Sequence, residues 1–141
     1  MTLKFEDDFM CYVCGKDNKL GLRLDFEHPR KGLLKSSVVF SKHHQGYKGV
    51  VHGGMMAMVL DEMMVNLAWV EGVPAVTAEI TVRLKKAAKI GQKLLLEGRI
   101  NKRRGRALYA SAVVKDEAGE TLAEAQAICL SVKKASAADK T

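Results

Sequence analysis

Apolar and polar positions alternate through most of this chain, and one long stretch breaks the rhythm. Leu20, Leu22, Leu24 and Phe26 interleave with Gly21, Arg23, Asp25 and Glu27, the two-residue period of a half-buried strand. Leu33 to Phe40 reads as its partner, with His28-Pro29-Arg30-Lys31-Gly32 as the turn between them. Ser41 to Val51 reads as a loop. From about Gly54 to Val70 the pattern changes: Met, Ala, Val, Leu and Trp fall in every direction around a helical axis, without a polar stripe, until Gly72-Val73-Pro74 stops the run. A helix of that kind must be enclosed by protein. After Pro74 the alternation returns, with Val76, Ala78, Ile80, Val82 and Leu84 set against Thr77, Glu79, Thr81 and Arg83. Lys93 to Asn101, Ala107 to Lys115 and Leu122 to Val132 complete the strands, and turns at Arg104-Gly105 and Ala118-Gly119 predict an antiparallel meander for the last three. The expected class is α+β: a curved antiparallel sheet of about six strands wrapped around one long central helix.

The length suits one domain over residues 1–134, with Ala135 to Thr141 as a small-residue tail. Met1 to Asp8 is mixed and acidic, unlike a signal peptide. The longest apolar run, Met63 to Val70, is interrupted by Asn66 and falls well short of the roughly 20 residues that span a bilayer. A cytoplasmic chain with no membrane partner is expected. Cys11, Cys14 and Cys129 make an odd count, which argues against a disulfide framework. Cys11-x-x-Cys14 has the spacing of half a zinc site, but a tetrahedral structural site takes about four ligands and the sequence holds no second close pair. A reduced structural pair is therefore expected, with no metal and no other cofactor.

The net charge of +7 is concentrated. Ten basic residues, including Arg83, Arg103 and Arg104, lie between Arg83 and Arg106 against a single acid, Glu97. Such a block suits an anionic ligand such as a phosphorylated small molecule, or else a solvated edge that discourages strand pairing. Nucleic acid is not expected, because no nucleic-acid-binding motif accompanies the charge and Tyr109 is the one aromatic residue nearby.

Two adjacent acids in so apolar a helix ask for an explanation. Asp61, Glu62 and Asn66 are the polar side chains between Met55 and Val70, and a carboxylate with poor access to water costs several kcal/mol unless it is compensated. Glu62 and Asn66 stand at i and i+4 and could bond each other. Ahead of them, His52-Gly53-Gly54 opens the helix. A helix N-terminus offers unpaired N–H groups and a positive dipole end to a developing oxyanion, and glycines let the backbone approach it. His52 is read first as a brace for that turn and second as a general acid. Asp61 stands about two turns further on, roughly 10 Å along the axis. One chain alone cannot bring both groups to one carbonyl, and a second subunit removes the difficulty.

The stretch Gln45-Gly46-Tyr47-Lys48-Gly49-Val50-Val51-His52-Gly53-Gly54, followed by Asp61, and the opening Cys11-Tyr12-Val13-Cys14-Gly15-Lys16-Asp17-Asn18-Lys19-Leu20-Gly21-Leu22, resemble hotdog-fold acyl-CoA thioesterases of the phenylacetate-pathway type, within the 4-hydroxybenzoyl-CoA thioesterase superfamily. The resemblance implies a homodimer or homotetramer with sites at a dimer interface, where one chain supplies the helix N-terminus and the other the acid. It implies hydrolysis of acyl-CoA to free acid and CoA, with Asp61 as general base or nucleophile and Thr77 as the hydroxyl that places acid or water. Glu62, Asn66, Arg83, Arg103 and Arg104 are expected around the substrate. Glu62 as the acid, and Asp61 as a buried interface residue, stay open as alternatives. So does a non-catalytic acyl-CoA binding or sensing module; a dehydratase of the same fold ranks behind both.

Overall fold

The computed structural model describes residues 5–132, so the expected tail at Ala135 to Thr141 lies outside the described residues. In chain order the elements are β1 (Glu27–Arg30), β2 (Leu33–Val39), α1 (Gly53–Val70), β3 (Ala75–Leu84), β4 (Lys93–Arg104), β5 (Ala107–Lys115) and β6 (Thr121–Ser131). The six strands form one antiparallel sheet in the order β1-β2-β4-β5-β6-β3. Helix α1 packs across β2 to β6. This is the hotdog arrangement that the resemblance implies, with the predicted meander at β4, β5 and β6.

The sheet can hold the helix because its inward positions are graded in size. Ala110 and Ala112 on β5, and Ala123, Ala125 and Ala127 on β6, are buried small residues that leave room for Met56, Val59, Leu60, Met63, Met64 and Leu67 of α1. Larger Leu34, Leu94 and Leu96 fill in from β2 and β4. Gly98 of β4 marks the closest approach: a Cβ there would stand 2.2 Å from the Met63 carbonyl oxygen, so only glycine lets helix and sheet meet at this point. The helix ends in a Schellman turn. The Val73 amide donates to the Ala68 carbonyl at 2.8 Å and the Gly72 amide to Trp69 at 3.0 Å, with Gly72 in the left-handed region at φ 82°.

Two expectations are corrected. No strand forms over Leu20 to Phe26, because Arg23 adopts φ 52°, a left-handed conformation foreign to a strand. The segment instead bonds the loop before it, with the Leu22 and Leu24 amides each donating at 2.9 Å to Tyr12 and Val13. Val13 and Leu24 are buried in the core, so the apolar spacing here reports a docked loop. β1 begins at Glu27 and absorbs His28 to Arg30, leaving Lys31-Gly32 as the turn. The second correction concerns the helix. One face is wholly buried, but Met55, Met58, Asp61, Glu62, Val65 and Asn66 are only half-buried in the single chain. No helix among the described residues is long and apolar enough to cross a membrane.

Candidate active site

The start of α1 is built by His52. It is the N-cap residue, and its Nδ1 accepts a hydrogen bond from the Gly54 amide at 2.8 Å, which satisfies one of the orphan donors of the first turn. Glycine at 54 keeps this approach uncrowded, since a Cβ would stand 3.0 Å from that same Nδ1 and the His52 ring would have to give. The bond ties the His52 ring to the first turn of α1. A consequence is that the two glycines are not equivalent. The Gly54 amide is occupied, whereas the Gly53 amide has no partner among the described hydrogen bonds. Gly53 therefore carries an unpaired amide at the start of α1 among the described residues. A cavity of about 510 Å³ opens there, with Tyr47, His52, Gly53, Met56, Leu84, Lys85 and Lys86 in its lining.

Asp61 lies eight residues beyond Gly53, roughly 12 Å along the axis, and neither Asp61 nor Thr77 lines that cavity. Thr77 donates its hydroxyl to Asp61 Oδ1 at 2.6 Å, the short length of an O–H to carboxylate bond. Sequence spacing alone left the face of Thr77 undecided. The face follows from a bulge in β3: Thr77 pairs with Cys129 and Glu79 with Ile128, so Ala78 is the extra residue. Bulges recur where a strand must re-aim a side chain. Cys129, absent from the sequence-based site, stands opposite Thr77 on β6. Burial pushes its thiol up, opposed by a hydrogen bond with Thr77 and reinforced by the Asp61 charge.

Glu62 faces another way. It accepts a hydrogen bond from Cys11 Sγ at 3.8 Å, and the bond to Asn66 that the i, i+4 spacing allowed is not formed among the described residues. Burial raises the Glu62 carboxyl above its ordinary value; hydrogen bonds from Cys14 and Cys11 lower it, and the Asp61 charge raises it further. The neighbouring Cys14 thiol is pushed well up, by burial first and then by the Glu62 charge.

Within one chain, the basic residues singled out from sequence stand apart from the helix N-terminus. Arg83 lies on β3 and lines a separate groove with Ser111, Glu124 and Gln126, while Arg103 and Arg104 end β4 beside the Gly105 turn, where Arg103 Nε donates to the Gly105 carbonyl at 3.5 Å. The cations on the Gly53 cavity are Lys85 and Lys86, which pair with Glu124 and Glu120. Sequence reasoning placed both in the basic block without setting them apart. Their position directly after β3 was the available signal. Of the remaining histidines, His44 caps the 3-10 turn Lys42–His44 and edges against Phe40, and His28 bonds Glu71 at 2.9 Å.

The profile of the thioesterase superfamily matches residues 48–123, more than half of the chain and all of the segment that carries Gly53, Gly54, Asp61 and Thr77. The chain belongs to the thioesterase superfamily. The acyl-coenzyme A thioesterase THEM4 of Mus musculus is 32% identical to this chain over 80 residues, covering 57% of this chain and 34% of the mouse protein. The chain therefore spans about a third of that relative's length. Solved thioesterase structures match the fold. The thioesterase superfamily protein RHA08564 superposes with a TM-score of 0.82 at 22% identity, over 86% of this chain and 60% of that one. A hypothetical thioesterase from Streptococcus pneumoniae TIGR4, solved with coenzyme A, gives 0.74 at 18% identity, over 80% and 91%. That protein has also been solved with an aspartate changed to alanine and with a threonine changed to alanine, at TM-scores of 0.74 and 0.73.

Proposed function

We propose that this thioesterase-superfamily chain hydrolyses acyl-CoA thioesters to free acid and CoA, at a site completed by a second copy of itself. The observation that carries the proposal is the Thr77 to Asp61 hydrogen bond at 2.6 Å on the half-buried face of α1. It orients a carboxylate in the middle of a helix that has no structural use for one. The names of the mouse relative and of the coenzyme A complex support the substrate class, and the altered aspartate and threonine of the Streptococcus pneumoniae protein support the pair. In this mechanism the Gly53 amide and the dipole of α1 stabilise the oxyanion as the thioester carbonyl is attacked. Asp61 either takes the proton of the attacking water or attacks the carbonyl carbon itself; the C–S bond then breaks and CoA leaves as a thiolate that is reprotonated, and in the second route water hydrolyses the resulting Asp61 anhydride, releasing the free acid and restoring the carboxylate. Thr77 holds the Asp61 oxygen in place.

The distance of roughly 12 Å between Gly53 and Asp61 on one helix supports a homodimer, or a dimer of dimers, in which each site takes its oxyanion donor from one copy and its acid from the other. Strand β3 is an edge of the sheet and exposes Ile80 and Leu84, the latter by 57%, which supports pairing through that edge. Lys85 and Lys86 line the Gly53 cavity and would exchange Glu124 and Glu120 for CoA phosphates, with Arg83, Arg103 and Arg104 as further members of the basic surface. The free thiols Cys11, Cys14 and Cys129 support a reducing, cytoplasmic setting.

The test is release of free CoA thiol from short, long and aromatic acyl-CoAs, followed with a thiol-reactive chromophore. Multiple turnovers on at least one substrate are expected. Stoichiometric binding of acyl-CoA with no thiol release across the panel would make the chain a binding or sensing module.

A further inference from the structure

The loop that docks on α1 brings its two cysteines to Glu62, one residue from Asp61 and outside the mechanism above. Ligand atoms of Cys11, Cys14 and Glu62 all lie within 4.8 Å of one another, and the Cys11 Sγ to Glu62 Oε2 distance is 3.8 Å. Around a tetrahedral zinc ion, with Zn–S of about 2.3 Å and Zn–O of about 2.0 Å, two sulfurs sit about 3.8 Å apart and a sulfur and an oxygen about 3.5 Å. The cluster needs a contraction of about 1.3 Å at most. We propose that Cys11, Cys14 and Glu62 form a binding site for a thiophilic divalent cation, zinc(II) in the first place, with solvent as the fourth ligand.

Three independent features of the fold support the site. The Cys11-x-x-Cys14 turn is closed by Gly15, whose amide donates to the Cys11 carbonyl at 2.8 Å; a Cβ at Gly15 would fall 2.4 Å from the Cys11 nitrogen and 2.6 Å from the Phe9 carbonyl. A turn this tight admits glycine alone and keeps both sulfurs on one side. The loop is then pinned by backbone bonds from Asp17 to Phe9, Leu22 to Tyr12 and Leu24 to Val13, so two ligands are preorganised. The third comes from the middle of α1, where Met63 and Met64 beside Glu62 are fully buried and fix the helix against the sheet.

Charge gives the cluster its purpose. Glu62 forms no ion pair among the described residues, and its hydrogen-bond partners are the thiols of Cys11 and Cys14, both weak donors. A half-buried carboxylate held in that way is poorly compensated. A divalent cation on two thiolates and one carboxylate corrects this, and that donor set favours zinc over magnesium or calcium. The ion would clip the N-terminal loop to the helix that carries Asp61, and its binding energy would add to folding stability.

The test uses the full chain, fully reduced, titrated with cobalt(II) as a spectroscopic probe and then with zinc. One equivalent of cobalt should bind with a thiolate-to-cobalt charge-transfer band and the visible bands of tetrahedral coordination, and zinc should displace it. Saturating zinc should raise the melting temperature by about 5 °C or more. Cys14→Ser should weaken cobalt binding by about 100-fold or more, and Glu62→Gln by about 10-fold or more with the thiolate band retained. Cys129→Ser, outside the cluster, should titrate as the parent does. A folded, reduced chain that shows no thiolate band would overturn the proposal, as would a band unchanged in both Cys14→Ser and Glu62→Gln. These readouts do not depend on hydrolysis.

Discussion

Removing the Thr77 hydroxyl isolates the contact on which the proposed chemistry turns. The bond to Asp61 measures 2.6 Å and is part-buried, and a hydrogen bond to a charged group is worth about 1.5–3 kcal/mol net. If it holds the Asp61 oxygen through the transition state, each 1.36 kcal/mol lost slows the reaction about tenfold, so Thr77→Ala should lower kcat about 10- to 150-fold. KM should move much less, because Thr77 is not a substrate contact in this account. Thr77→Val restores the bulk without the hydroxyl and should be as slow as Thr77→Ala. Thr77→Ser restores the donor and should come within a few fold of the parent. The assay is steady-state thiol release on the best acyl-CoA found, with urea unfolding alongside, since losing one half-buried hydrogen bond costs about 1 kcal/mol of stability. A folded Thr77→Ala protein with the parent kcat would refute the positioning role.

Other consequences are checked by stability. Gly98→Ala would set a Cβ 2.2 Å from the Met63 carbonyl oxygen, forcing α1 off the sheet; a loss of about 3 kcal/mol or more is expected in urea unfolding, and a loss under about 0.5 kcal/mol would refute the close-packing account. Cys129 has a folded-state pKa raised above 9.0, so the folded chain keeps its proton while the unfolded chain releases it. The stability this contributes is present below pH 9.0 and is lost as pH rises through the unfolded value toward the folded one. Cys129→Ala should therefore show a shallower fall in unfolding free energy between about pH 8 and pH 10 than the parent, and parallel slopes would show that burial does not hold the proton.

The strands after Pro74 and the helix were legible because each obeys a single period and is punctuated by Gly or Pro. Ala107–Lys115 alternates without a break, and Gly72 ends α1 at a left-handed residue that the sequence marks. Leu20 to Phe26 misled for a physical reason: apolar spacing reports burial, not which backbone satisfies the amides, and the φ of Arg23 leaves no trace in the pattern. The site was legible by residue and only partly by arrangement. Asp61 and Thr77 were named together, but their contact depends on the bulge at Ala78, which shifts register by one residue. The division between Gly53 and Gly54 depends on which amide His52 takes. Cys11, Cys14 and Glu62 come from segments whose meeting depends on where the loop docks, which no local period encodes.

The central claim is that the Asp61 carboxylate does the chemistry, and Asp61→Asn tests it most directly. The substitution keeps size and most hydrogen-bonding capacity while removing the charge needed to deprotonate water or attack the thioester. Measured beside Glu62→Gln on the same acyl-CoA, with sedimentation and urea unfolding to establish that each protein keeps its fold and assembly, Asp61→Asn should lose about 10²-fold or more in kcat and Glu62→Gln far less. A folded, normally assembled Asp61→Asn protein that turns over at close to the parent rate would contradict the account, and a collapse confined to Glu62→Gln would move the catalytic role one residue along α1.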